Sequence, residues 1–141
     1  MLAHLRQVAR ELDLPFGART KTFNSRLAQE LGKWAEAQGK NIGDAFHHAA
    51  FLAYFEHGKN IAQQAVLLRL CESVGLDPDM AKGVLDQRTY RQAVDADWDR
   101  SRLMGIRAVP TFVLNDRRLV GAQSYEALEK MAVAAGVGRR H

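Results

Sequence analysis

The sequence predicts a predominantly helical domain that ends in a β-hairpin and one further helix. Six segments carry apolar residues at three- and four-residue steps, which is the spacing of one helix face. A later stretch, residues 109–114, is β-branched, aromatic and apolar at consecutive positions, as in a strand covered on both faces. With 141 residues, of which 47% are hydrophobic, the chain can bury a core, so disordered and disulfide-scaffold proteins are excluded.

Proline, glycine and capping residues bound the first two helices. The first follows helical spacing over residues 2–12 and ends before Pro15, because proline disfavours helical geometry in the residue that precedes it. Asn24 or Ser25 is suited to cap the second helix, since its side-chain oxygen accepts from a free amide of the first turn. Gly39 is the expected end of this second helix.

The third predicted helix, residues 45–57, is apolar on nearly all sides. Asp44 is its expected N-cap. A helix without a polar face lies in a core or an interface, so we expect its large apolar side chains to be covered. These side chains are Phe46, Phe51, Leu52, Tyr54 and Phe55.

Three more helices are predicted before the hairpin. The fourth covers residues 62–74 and carries Cys71 on the same apolar stripe as its leucines. Asp77 caps a short fifth helix, with Pro78 in the first turn, where proline is tolerated. The sixth covers residues 89–104, because aromatic and valine side chains repeat there every four residues.

The β-hairpin and a last helix follow. Residues 109–114 form the first strand, Asn115 and Asp116 suit the turn, and residues 117–120 return as the second strand. Ser124 is the expected cap of the last helix. The inward residues of that helix are expected to be Tyr125, Leu128 and Met131. A two-stranded hairpin alone is marginally stable, so we expect a partner outside this sequence to complete the sheet.

Charge, hydropathy and cysteine content narrow the function classes. The net charge of +4 is spread along the chain apart from the basic tail at residues 139–141, so no nucleic-acid partner is expected. Cys71 is the only cysteine, which excludes an intramolecular disulfide and a Cys-X-X-Cys motif within these residues. No stretch approaches the roughly 20 apolar residues of a membrane span, and no signal-peptide core is evident. We therefore expect a cytoplasmic protein without a membrane partner.

One acidic cluster has the spacing of a metal site without its remaining ligands. Asp95, Asp97 and Asp99 alternate as at the start of an EF-hand calcium loop. The sixth and twelfth positions of that loop would be Arg100 and Ile106 instead of glycine and glutamate. The aspartates are therefore expected to form a solvated helix face paired with neighbouring arginines.

The histidine pair and the cysteine have plain structural interpretations. His47 and His48 point about 100 degrees apart on one helix and cannot easily share a metal ion, so we expect packed or surface histidines. Cys71 is expected to be a buried structural thiol, and the alternative is a thiol exposed for an intermolecular disulfide. The sequence predicts no catalytic residue, metal or cofactor.

The C-terminal sequence carries the most specific signature. The segment GIRAVPTFVL at residues 105–114, followed by LVGAQS at 119–124, resembles the C-terminal end of DsbA-family thioredoxin-fold proteins, in particular the FrnE-like branch. The upstream segments NSRLA at 24–28 and AYFEHGKNI at 53–61 fit the helical insertion of that family. The resemblance implies an α/β thioredoxin-like fold of the DsbA type.

The resemblance divides the chain into a helical insertion domain, residues 1–104, and a C-terminal thioredoxin-fold portion, residues 105–141. In family members a strand, a Cys-X-X-Cys helix and another strand precede the insertion, whereas this sequence starts after all three. The resemblance therefore implies a truncated DsbA-like thiol–disulfide oxidoreductase without redox activity on its own, because the attacking and resolving thiols are both missing.

The resemblance also assigns a substrate-binding segment, Val109 and Pro110. It implies a cis bond before Pro110 and a Val109 backbone that pairs with an extended peptide of a protein thiol substrate. The alternative is a trans proline that merely opens a strand.

We expect self-association and keep three other hypotheses open. An unpaired hairpin edge presents free backbone groups, so a homodimer through that edge and the aromatic third helix is expected. Alternatively, the chain is part of a complete disulfide oxidoreductase whose Cys-X-X-Cys segment lies upstream. A third hypothesis is a glutathione-using relative, similar to the kappa-class transferases and chromene-carboxylate isomerases. A fourth is a peptide-binding module that uses the Pro110 loop.

Overall fold

The computed structural model describes residues 2–18 and 20–138, and these contain seven helices and two strands. The helices are α1 Leu2–Glu11, α2 Arg26–Gln38, α3 Lys40–Phe55, α4 Gln64–Ser73, α5 Pro78–Gln87, α6 Arg91–Leu103 and α7 Tyr125–Ala134. The strands are β1 Thr111–Leu114 and β2 Arg117–Val120. The predicted order of elements is confirmed. The basic tail at residues 139–141 lies outside the described part of the chain.

The chain forms two compact units, Met1–Ala96 and Asp97–His141. The domain boundary after residue 104 stays a prediction. Within the described residues, no helix combines the length and the hydropathy that crossing a membrane requires.

The first unit is built on the antiparallel pair α2 and α3, with α4 and α5 packed against it. Its hydrophobic core includes the buried side chains of Leu31, Trp34, Phe46, Leu67, Cys71 and Leu85. Helices α2 and α3 approach each other closely at Gly43. A β-carbon on that residue would lie 2.9 Å from the Cα of Glu36, so only glycine permits this packing distance.

Capping explains where α5 begins, as the sequence predicts. The Asp77 carboxylate accepts from the backbone amides of Asp79 and Met80 at 2.8 and 3.1 Å, and Pro78 occupies the first turn. The helix ends at Arg88, which has left-handed backbone angles. This left-handed residue turns the chain into α6 and sets the direction of the Arg88 side chain.

The start of the third helix differs from the prediction. Helix α3 begins at Lys40, directly after α2, because Gly39 adopts φ of +143° and reverses the chain within a single residue. Asp44 is therefore an interior residue, which pairs with Lys40 one turn earlier instead of capping the helix. The expected burial of all large apolar side chains is also wrong for Phe51 and Leu52, which are 66% and 37% exposed.

The second unit has no buried side chain among residues 97–138, all of which the structure describes. The two strands pair antiparallel, with Thr111 opposite Val120 and Leu114 opposite Arg117. The first strand starts later than predicted because Pro110 has no N–H to donate to a ladder. The expected cover on both faces of β1 is wrong, since Val113 is exposed. The expected inward position of Tyr125 is also wrong, because its side chain is 72% exposed.

Candidate functional site

The segment between α6 and β1 is held at its first end by an arginine from β2. The Arg118 guanidinium donates to the carbonyl oxygen of Met104, and also to that of Gly105 at 3.2 Å. These carbonyls follow the last turn of α6, where backbone oxygens lack helical partners. Gly105 has φ of +68°, and a β-carbon there would lie 3.1 Å from an Arg118 nitrogen. Glycine at this position therefore serves both the turn and the approach of the guanidinium.

The second end of the segment is held by the hairpin itself. The Gly121 amide donates to the Pro110 carbonyl at 2.8 Å, which extends the β1–β2 ladder by one residue pair. The Thr111 hydroxyl donates to the Ala108 carbonyl at 2.6 Å. The Val109–Pro110 peptide bond is cis. These contacts position the segment from both sides while Val109 remains 89% exposed.

The chemistry available at Val109 and Pro110 is that of backbone recognition. Val109 contributes an apolar side chain and one peptide amide, and Pro110 contributes no donor. An extended polypeptide can add to such a segment through main-chain hydrogen bonds.

Cys71, the only thiol of the chain, is buried in α4. Burial raises the pKa of the Cys71 thiol to about 11, because the thiolate would lose its hydration. The prediction of a buried structural thiol is confirmed, and the alternative of an exposed thiol is wrong. A thiol that is protonated and covered at neutral pH is a poor nucleophile.

Two of the acidic residues of α6 are paired with arginines. Asp95 accepts from Arg26 at 2.7 Å, and Asp99 pairs with Arg102. His47 and His48 are both exposed, and the His47 ring is 2.9 Å from a Glu36 carboxylate oxygen. Among residues 2–18 and 20–138, no three histidine, cysteine or acidic side chains are grouped closely enough to hold a metal ion.

The first unit contains a buried charge cluster centred on Glu30, which the sequence did not predict. The Glu30 carboxylate is fully buried in α2 and accepts from Arg88 at 2.8 and 2.6 Å and from Arg26 at 2.8 Å. Arg88 foremost, with Arg26, lowers the pKa of Glu30 below its usual range, although burial alone would raise it. Arg26 and Glu30 lie four residues apart on one helix, a spacing that favours an ion pair, so this contact had a local signal in the sequence. The Arg88 contact spans 58 residues and has no local signal.

An apolar cavity in the first unit also went unpredicted. It has a volume of about 460 Å³ and lies between the loop before α2, α2 itself and α3. Its aromatic walls are Phe23, Phe51, Tyr54 and Phe55. The incomplete cover of Phe51 follows from its position at this cavity.

Comparisons with known proteins identify the family of this chain. A family model described as DSBA-like thioredoxin domain matches residues 1–132. YwbO of Bacillus subtilis (strain 168), an uncharacterized protein, is 35% identical to this chain over 98 residues. That match covers 67% of this chain and 48% of YwbO, so the chain spans about half the length of the curated relative it matches. The α/β thioredoxin-like fold of the DsbA type is confirmed, and the chain belongs to the family of DSBA-like thioredoxin domains.

Proposed function

We propose that these residues carry the polypeptide-binding part of a DsbA-like thiol–disulfide oxidoreductase and have no dithiol redox activity by themselves. The observation that carries this proposal is the state of Cys71. Disulfide exchange needs an accessible thiolate and a second thiol to resolve the mixed disulfide. The chain has one thiol, which is buried and has a raised pKa.

A redox assay tests the absence of dithiol chemistry. Insulin reduction by glutathione is followed with and without the protein, and we expect equal rates. The Cys71→Ala variant is the matched control, since it removes the only thiol. A rate increase that Cys71→Ala abolishes would contradict the proposal.

The anchored Val109–Pro110 segment supports the binding part of the proposal. Both ends of the segment are held by hydrogen bonds, so little conformational entropy is lost when a peptide pairs with it. The main-chain groups of Val109 supply affinity without demanding a particular sequence, as substrates of a general oxidoreductase require.

Two Val109 variants separate main-chain from side-chain recognition. The probe is a capped, extended peptide rich in valine and threonine, titrated while the amide NMR signals around Thr111 are recorded. Val109→Pro removes the amide donor, whereas Val109→Ala keeps it. We expect saturable shifts for the wild type and Val109→Ala, and none for Val109→Pro. Equal binding by the two variants, or no saturable shift in the wild type, would refute main-chain recognition.

A second candidate is a complete oxidoreductase whose Cys-X-X-Cys pair lies outside these residues. The coverage of 48% of YwbO favours it, because about half of that relative lies outside the matched residues. The in-frame codons before Met1 test this candidate. A strand followed by Cys-X-X-Cys would support it, and an in-frame stop codon close to Met1 would oppose it.

We also propose the FrnE-like branch and a cytoplasmic location. The Val-Pro-Thr-Phe segment starting at Val109 and the Gly-Ala-Gln segment at residues 121–123 support the branch. A single buried thiol suits a reducing compartment. Fractionation of cells that express a tagged chain tests the location, and recovery from a secreted or periplasmic fraction would contradict it.

A further inference from the structure

We infer that the groove between β2 and α7 binds an acidic polypeptide segment that carries an apolar side chain between its carboxylates. This basic groove has a volume of about 480 Å³. The described residues that line it come from β2 and α7, namely Arg117, Arg118, Leu119, Ala127, Lys130, Met131 and Ala134. The inference goes beyond peptide binding at Val109 and does not depend on it, because the two surfaces share no lining residue.

The floor of the basic groove is apolar. Ala127, Met131 and Ala134 follow one another at three- and four-residue steps, so they lie on one face of α7. Met131 and Leu119 are partly buried. An alanine side chain ends at the β-carbon, so Ala127 and Ala134 leave room on either side of Met131. An apolar side chain of a ligand gains free energy on this floor, since contact removes apolar surface from water.

The rim of the basic groove carries two cations on opposite walls. Arg117 belongs to β2 and Lys130 to α7, and both side chains are exposed. Within the part of the chain that the structure describes, neither side chain forms an ion pair or a hydrogen bond. Both cations can therefore pair with carboxylates of a ligand without first breaking a contact within the protein.

Two further charges near the groove are already engaged. Arg118 also lines the groove, but its guanidinium donates to the two carbonyls that follow α6. Glu126, one turn before Lys130, accepts from its own backbone amide and from the Ser124 hydroxyl, and these hydrogen bonds lower its pKa. Glu126 therefore completes the first turn of α7 and does not neutralise Lys130.

Charge and size together select a polypeptide over a simple anion. The guanidinium of Arg117 matches the fork of a carboxylate, and the Lys130 ammonium adds a second point of attraction. A small inorganic anion has the size of a few water molecules, each about 30 Å³, so it would leave the apolar floor uncovered. An acidic segment with an apolar side chain contacts the rim and the floor at once.

Titration of the full chain with a synthetic peptide, followed by amide NMR, tests the inference. The probe is a capped peptide in which pairs of glutamates alternate with single leucines. One matched peptide replaces each glutamate by glutamine, and the other replaces each leucine by serine. We expect saturable shifts at Leu119 and Met131 with the probe, and an affinity about tenfold lower for either matched peptide.

Two double variants separate the groove from the general positive charge of the chain. Arg117→Gln combined with Lys130→Gln is expected to weaken probe binding about tenfold. The control combines Arg10→Gln with Arg69→Gln, which removes the same charge from exposed positions of α1 and α4. We expect this control to bind within about twofold of the wild type, because exposed charges beyond a Debye length are screened. Circular dichroism confirms that both variants are folded.

Four outcomes would overturn the inference. The first is the absence of saturable shifts in the wild type, and the second is equal weakening in the two double variants. The third is displacement of the probe by inorganic phosphate at constant ionic strength, which would indicate a simple anion site. The fourth is displacement by the peptide rich in valine and threonine, which would place the probe at Val109 and leave the proposed function intact.

Discussion

Arg88 and Glu30 form a two-point ion pair, in which Nε and Nη2 of the guanidinium each donate to one carboxylate oxygen. Glu30 is fully buried, whereas the Arg88 side chain is 39% exposed. The pair joins the turn after α5 to the middle of α2. Removing one partner of such a pair leaves a buried charge without adequate compensation, which makes the pair costly to break.

Arg88→Ala is expected to destabilise the first unit. The Glu30 carboxylate would keep Arg26 but lose two of its three hydrogen bonds inside the core. We expect the free energy of unfolding to fall by about 2 kcal/mol or more. Urea unfolding followed by circular dichroism measures it. The control is Lys82→Ala, which removes the exposed ion pair between Lys82 and Asp86 of α5. This change should leave the free energy of unfolding unchanged.

The stabilising effect of Glu30 is expected to disappear in acid. The folded pKa of Glu30 lies below its ordinary value of 4.5, so the unfolded state takes up the proton first as the pH falls. The contribution is therefore complete above 4.5 and is lost as the pH drops through the folded pKa. The stability difference between wild type and Glu30→Gln should be largest near neutrality and shrink in acid. A difference that is independent of pH would contradict the charged state of Glu30.

The Cys71 thiol is expected to react only when the first unit opens. Its side chain is buried and burial raises its pKa to about 11, compared with 9.0 for a free thiol. Folding therefore favours the protonated thiol, and this contribution is lost as the pH rises from 9.0 towards about 11. Labelling by Ellman's reagent at neutral pH should be slow in buffer and fast in guanidinium. Fast labelling of the folded protein would refute the burial.

Two glycine substitutions should shift stability in opposite directions. Gly43→Ala places a methyl group 2.9 Å from the Glu36 Cα, so α2 and α3 must move apart, at a cost of about 1–3 kcal/mol. Gly83 lies within α5 with no atom near its missing β-carbon, so Gly83→Ala should raise stability by about 0.5–1 kcal/mol. Thermal unfolding of both variants measures the two shifts. Equal changes in stability for the two variants would contradict the prediction, because they would show that helix propensity alone, and not the close contact at Gly43, determines the effect.

Much of the fold could be predicted because its signals are local. Helix ends are marked by residues that satisfy or interrupt hydrogen bonds within one turn, as Asp77 does for α5. The hairpin turn at Asn115 and Asp116 is marked in the same way. The start of α3 was mispredicted because a capping aspartate and an interior aspartate look alike in sequence. The φ of Gly39 decided between them.

The candidate site was predictable only in part. Val109 and Pro110 came from a resemblance, while the contacts that hold the segment come from Arg118 and Gly121, which the sequence does not connect to it. The exposure of Val113 ran against its apolar character, because the burial of a strand depends on which elements lie beside it.

By itself, the sequence determined the order of helices and strands, the DSBA-like family and the lack of a second thiol, since each depends on residue type and near-neighbour spacing. Only the tertiary structure decided that Arg88 reaches Glu30 and that Arg118 holds the chain after α6. The reason is physical. Capping and turn formation act within a few residues, whereas ion pairs and strand edges depend on how distant segments pack.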